Sequence, residues 1–474
     1  MRSNSCSVIV AALSALHALA CRRPPPPAPP PSETITLEDA GGTSIVSVAR
    51  TPAHGCPALV PHAELGRGTT HASTVTSNEV WTLEGSPHRV PNGIHLLAGS
   101  SVTISPCAVV LVGAGRDFVV QDDAALLSLG ESSKPIRFDS ARETPSPGDW
   151  IGLEVRAHAR PATRFAWVTV AHAGAEDGNA NEPDAAVRSW LETGLDLDHV
   201  TVRESSQWGV ALLGRGGFHP RSGTLTVTGS QGPGAIFFAD TDQVRTLPAG
   251  AYTGNRVNDI FLSTWSREVR TNGTWRNPGA DVRYVVRRAG RVIVEGPANP
   301  QLVIAPGARV AFEDDAELVV GWDQPGALLA RGEASQRVIF TTARAQPEPA
   351  SWVGLFFGPH LDVARSGLDH VLIESAGAPA DAPFVVCPSA SSTSTMDTAM
   401  LFLQGLDAPR LVAHTTFRAG PPRGFAILRS GDFLSPVADL CASDLGNDLV
   451  TAGVRCAQSQ PRIRGECPQN PACP

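Results

Sequence analysis

The chain has 474 residues, with 45 Gly, 40 Pro, 18% charged residues and a formal net charge of −8. That balance favours turns and short strands over long helices, and it leaves no electrostatic footprint for nucleic acid as a partner. Lys134 is the only lysine, so a Schiff-base mechanism has a single candidate nucleophile.

The first element, residues 1–20, pairs Arg2 with the apolar run SVIVAALSALHALA. The run is too short to span a bilayer but suits the core of a signal peptide. It closes in ALAC, Ala18 to Cys21, which resembles the lipobox of bacterial lipoproteins, although Ala18 stands where leucine is usual. The resemblance implies that Cys21 is lipidated and that the chain is held on a membrane through that lipid; an ordinary secretory signal cleaved nearby is the alternative. Residues 21–33 continue as a proline-rich tether, extended by fixed φ and lacking amide donors. Arg22 replaces the aspartate that retains some lipoproteins at the inner membrane, so the expected location is the outer membrane or surface of a Gram-negative cell.

Export fits the cysteines. With Cys6 and Cys21 set aside, Cys56, Cys107, Cys387, Cys441, Cys456, Cys467 and Cys473 remain, in a compartment that permits disulfides. None forms a C-x-x-C pair, which argues for staples rather than a zinc site.

Residues 34–80 are expected to cap the end of the body that follows. That body is a duplication. VTISPCAVVLV, Val102 to Val112, returns as LVIAPGARVAF, Leu302 to Phe312, with Ile104, Pro106, Ala108 and Val110 recurring as Ile304, Pro306, Ala308 and Val310. Trp150 and Gly152 recur as Trp352 and Gly354, and FAWVTVAHAG from Phe165 pairs with LDHVLIESAG from Leu368. The offset drifts slightly and then jumps after loops that follow Gly174 and Gly377. Residues 81–260 form the first copy and residues 261–431 the second.

Within each copy, apolar segments such as Val109–Val112, Ile136–Phe138 and Val168–Val170 alternate one residue in and one out, between turns of Gly, Pro, Asp, Asn and Ser. Hairpin signals are scarce, so the strands wind one way, as in a solenoid. The order LVIAPGARVAF, GALLARGE, VIFTTA, ASWVGLFF, DHVLIESAG resembles that of bacterial exported right-handed parallel β-helix proteins with a pectin-lyase-like fold. The resemblance implies an all-β solenoid and little about chemistry. Residues 432–474 are then a cysteine-rich C-terminal cap stapled by Cys441, Cys456, Cys467 and Cys473.

Candidate sites are few. Asp122-Asp123 and Asp314-Asp315 read as solvated turns, since neighbours on a strand face opposite ways. The loop EDGNANEPDAA places Asp177, Asn179 and Asn181 at calcium-loop spacing, but Glu182 stands where glycine is expected and Arg188 where the closing glutamate belongs. Calcium is thus the one cofactor with any signal. Glu176 and Asp184 in this loop, and Cys387 in its counterpart 378–400, mark insertions at one type of corner, where solenoids often build binding faces. Trp150 and Trp352 precede buried strands and suit the core. The sequence expectation is a non-catalytic envelope scaffold that binds a polysaccharide or an envelope protein, with a carbohydrate-active lyase or hydrolase as the alternative. Cys107 occupies the corner that Gly307 fills in the second copy, and Cys56 is the only other cysteine near it in the mature sequence; a Cys56–Cys107 disulfide pinning the N-terminal segment is expected.

Overall fold

The computed structural model describes residues 56–379, 398–404, 410–422, 425–430 and 446–448. Cys21, Cys387, Cys441, Cys456, Cys467 and Cys473 lie outside them. Every named strand pairs in parallel, and strands adjacent in sequence do not pair. Val109–Val112 pairs with Ile136–Ser140, which pairs with Val168–Ala171, which pairs with Val200–Arg203. Between any two of these the chain visits two other sheets, so one coil is three strands. The body is therefore a parallel β-solenoid.

Alternation explains why these segments stack. Inward side chains form ladders along the axis, as in Val110, Phe138, Val170, Val202 and Val227, each the lateral partner of the next. All are buried in one continuous core. At about 1.5–3 kcal/mol for each such side chain, the rungs hold one another in register through burial rather than through local propensity.

Equivalent positions of the two copies share their local form. Trp150 and Trp352 are fully buried, and each donates its indole N–H to a carbonyl 2.8 Å away, Ala171 O and Glu374 O respectively. Gly152 and Gly354 have φ of +147° and +145°. A Cβ on Gly152 would lie 2.6 Å from Ala185 O on the next coil, so only glycine fits there.

The copies are not equivalent in the whole stack. In the first copy Val109–Val112 and Ile136–Ser140 belong to an eight-stranded sheet that ends at Gly250–Ala251. Their counterparts Arg309–Phe312 and Val338–Thr342 belong to the thirteen-stranded sheet that runs through both copies. The second copy is turned by one face relative to the first. The turn is made across Asp240 to Asn258, where a short 3-10 helix, Thr241–Thr246, leads off a strand that ends in Asp240. Two carboxylates fix the exit. Asp240 accepts from Arg270 at 2.7 Å, and Asp242 accepts the backbone N–H groups of Arg270 and Thr271 at 2.9 and 3.0 Å. New six- and five-stranded sheets begin directly afterwards, at Glu268–Val269 and Gly273–Trp275.

Cys56 and Cys107 form a disulfide with Cα atoms 4.9 Å apart. Cys107 sits at φ +69°, matching Gly307 at φ +76°. The described part of the N-terminal segment lies on the side of the stack. Cys56 and Ala58 cover the outward Val109 and Leu111, Arg137 donates to Val60 O at 2.7 Å, and Ala58 N donates to Cys107 O. The first coil opens at Thr69–Thr70, paired with His88–Val90, inside the span 34–80 expected to cap it. At the other end Asp448 forms a parallel bridge with Thr416, so the chain beyond the last coil returns to the thirteen-stranded sheet.

Candidate functional site

The outer face of the thirteen-stranded sheet carries a ladder that changes character along the axis. Lateral partners run Glu154, Arg188, Ala211, Phe237, Phe261, Val285, Ala311, Thr341. An outward row on a solvated sheet should be polar, yet its middle is apolar and packs with Trp208 and Ala239. Trp208 meets Phe237 and Phe261 edge-on, with ring centroids 5.5 and 5.1 Å apart.

Backbone irregularity supplies the one exposed large aromatic there. Between the pairs Phe238–Leu262 and Asp240–Ser266 the strand Ile260–Ser266 holds extra residues and bulges. Bulges re-aim side chains, and this one leaves Trp265 58% exposed, edge-on to Phe237 at 5.9 Å. Two hollows meet here. One, of about 440 Å³, lies among Asn181, Glu182, Trp208, Phe237, Trp265 and Arg287. The other, of about 450 Å³, lies among Arg256, Asp259, Phe261, Arg283, Asp314 and Arg344. Both are bordered by Pro233 and Arg288, so the two hollows adjoin along the stack and are together termed the groove.

Asp259, Asp314 and Glu313 in the groove are each met by arginine, whereas Glu182 accepts the Asn179 side-chain amide at 3.2 Å. Arg283 grips Asp259 with two bonds of 3.1 and 2.7 Å. Arg344 does the same to Asp314 at 2.8 and 2.9 Å, and this bond holds the Asp314 carboxyl below the usual carboxylate range. Glu313 accepts the backbone N–H of Arg288 at 2.7 Å and faces Arg287. The Arg287 guanidinium also lies over the Phe261 ring, 5.5 Å from its centroid.

The loop from Glu176 to Asp184 forms one wall. Asp177 accepts the N–H of Asn179 at 2.7 Å, and Asn179 accepts that of Asn181 at 3.2 Å, so the calcium-like spacing folds as successive side-chain turns. Asp177 also takes Arg188 at 2.6 Å, and Asp184 faces the same guanidinium at 3.6 Å. Arg188 is 1% exposed and bonds Glu154 as well. Burial pushes the Glu154 carboxyl up despite Arg188 and Arg156 beside it. Asn181 and Glu182 reach the groove, whereas Asp177 and Asp184 are turned to Arg188. Asp122 accepts the N–H of His158 at 2.9 Å at a turn, and Asp314 is the member of the two Asp-Asp pairs that borders the groove.

Sequence reading did not find Phe237, Phe261, Arg283 or Trp265. They lie around the junction between the copies, where no repeat marks them; the apolar run AIFFAD, outward and inward alike, was the available signal. No helix among the described residues is long and apolar enough to cross a membrane.

Comparison with protein-family models, with curated proteins and with solved structures finds no match to this chain.

Proposed function

We propose that this is an exported, lipid-anchored envelope protein whose right-handed, pectin-lyase-like β-helix serves as a non-catalytic scaffold, holding an extended polysaccharide along the groove of its thirteen-stranded sheet. The observation that carries the reading is Trp265, an exposed ring beside Phe237 in a groove edged by arginines. An aromatic face takes the apolar side of a sugar ring, and guanidinium groups bond hydroxyl or carboxylate substituents. The reading calls for no cofactor.

The alternative is a lyase or hydrolase. Glycoside hydrolysis requires an acid whose pKa is raised beside a second carboxylate. Here Asp259 and Asp314 are clamped by Arg283 and Arg344, and Asp314 is shifted down. The full mature chain, run by affinity electrophoresis against a panel of neutral and acidic polysaccharides, is expected to be retarded by one class of polymer and to release no oligosaccharide. Trp265→Ala should weaken the retardation roughly fivefold, in line with about 1 kcal/mol for an aromatic contact. Absence of retardation by any polymer, or depolymerisation, would overturn the reading.

A further inference from the structure

The corner that precedes the thirteen-stranded sheet in the second copy holds a second constellation, away from the groove. His370 and His414 occupy the same corner on successive coils, with φ of +52° and +45°. Their rings stack, with centroids 4.6 Å apart and planes 22° from parallel. Both Nδ1 atoms turn to one carboxylate oxygen, Asp369 Oδ1, at 2.9 and 2.8 Å. One ligand atom from each of the three residues lies within 4.8 Å of the others, and among the described residues this is the one His, Cys, Asp or Glu group that converges so.

The first copy shows what this corner is without that chemistry. Its counterparts are Trp167 and His199, also at positive φ, stacked 4.0 Å apart and 10° from parallel. The stack is thus a common structural device, and the second histidine is particular to the second copy. The carboxylate also changes coil: Asp369 stands where the first copy has Ala166, and Asp198 stands where the second has Ala413. Asp198, bonded to His199 at 2.7 Å, is bridged by Arg164 at 3.1 Å. Among the described residues Asp369 pairs with the two histidines and no arginine.

We propose that Asp369, His370 and His414 bind a divalent transition-metal ion, zinc being the readiest fit. Two imidazoles and one carboxylate are a zinc donor set, and three protein ligands leave one position for water. Tetrahedral zinc bonds near 2.0–2.2 Å require ligand atoms about 3.3 Å apart. The N–O separations of 2.8 and 2.9 Å must open slightly as the Nδ1 protons leave, and the two stacked rings, whose ligand atoms lie within 4.8 Å, must rotate to the same spacing. Gly446 packs against the His414 ring, where a Cβ would lie 2.8 Å from Cδ2, so the returning chain holds one ligand in place. The ion would join Gly367–Asp369 to Val412–Ala413, adjacent strands near the end of the stack.

Isothermal titration of the chelator-stripped full chain with zinc chloride tests this, with cobalt(II) absorption reporting coordination number. One equivalent should bind, with a four-coordinate cobalt spectrum, and the unfolding midpoint should rise with free zinc. The decisive variant is His370→Trp, which rebuilds the stack of the first copy while deleting a ligand. It should keep the metal-free unfolding midpoint and lose at least the ~10-fold in affinity that even outer-shell losses cause. His414→Ala should lose affinity similarly. Unchanged zinc binding in His370→Trp, or no saturable binding by the wild type, would overturn the proposal.

Discussion

Cys107 shows how one residue can be explained only by another far along the chain. Its φ of +69° is glycine's conformation, and the second copy keeps glycine there. A side chain in this region costs roughly 1–2 kcal/mol. The disulfide to Cys56, across a sequence separation of 51, offsets that strain by restricting the unfolded chain, with roughly 4 kcal/mol expected for a loop of that size. Two variants separate these effects. Cys56→Ser removes the bond and keeps the strain, and should lower stability by about 2–4 kcal/mol in urea unfolding. Cys107→Gly removes both, and should be the milder change by about 1 kcal/mol.

His88 carries a different residue-scale consequence. It is buried, accepts the His71 ring at 2.9 Å and faces Thr82 O at 2.8 Å. Desolvation pushes its pKa down from 6.5 to about 4. A depressed pKa means that the folded state binds the proton less readily than the unfolded one. The stability contribution is full above pH 6.5 and drains as pH falls toward 4. Wild type should lose about 2 kcal/mol more than His88→Gln over that window, when urea midpoints are compared at pH 7 and 4.5.

At the scale of the element, the repeat was plain to read because a rung is a local sentence. The Pro-Cys or Pro-Gly corner, the paired Trp150 and Trp352, and the glycines after them each follow from one short segment and its nearest coil. Gly152→Ala should therefore fail at its strand. Its Cβ would strike Ala185 O and Ala186 O, backbone that cannot swing aside. A loss of about 2 kcal/mol or more is expected, read as a lowered unfolding midpoint, and Gly354→Ala should behave alike. The groove was not readable in this way. Phe237, Phe261 and Val285 meet laterally across separate coils, and Trp265 is exposed by a bulge that no turn residue announces. Sequence alternation told which side chains leave a strand on opposite faces, but not that an outer face would be apolar.

The two insertions also meet the structure in an instructive way. They do leave the same type of corner, after Val168–Ala171 in one copy and after Val371–Glu374 in the other. The first of these strands lies in the eight-stranded sheet and the second in the thirteen-stranded sheet. The first insertion stands beside the groove lined by Trp208 and Trp265, and residues 380–397 of the second lie outside the described residues.

At the scale of the whole molecule, the stack is a one-dimensional array in which each coil templates the next. The junction at Asp240 to Asn258 is its one phase change among the described residues, and the acids that fix it are each bound by Arg270 or its neighbours. Asp240→Asn should loosen that exit while leaving the coils on either side stacked. Limited proteolysis is expected to cut first within residues 241–258 of the variant, leaving two fragments that correspond to the copies, while wild type resists under the same conditions.

The phase change also bears on the proposed polymer binding. Two copies in phase would show any ligand the same surface twice, and the molecule would cross-link its partners. Here a ligand lying along the thirteen-stranded sheet meets the second strand of each early coil and the first strand of each late one. No stretch of that path repeats. The duplication lengthened the stack, and under the proposed reading a polymer lying along the thirteen-stranded sheet would meet a different face of each copy, and so have a direction.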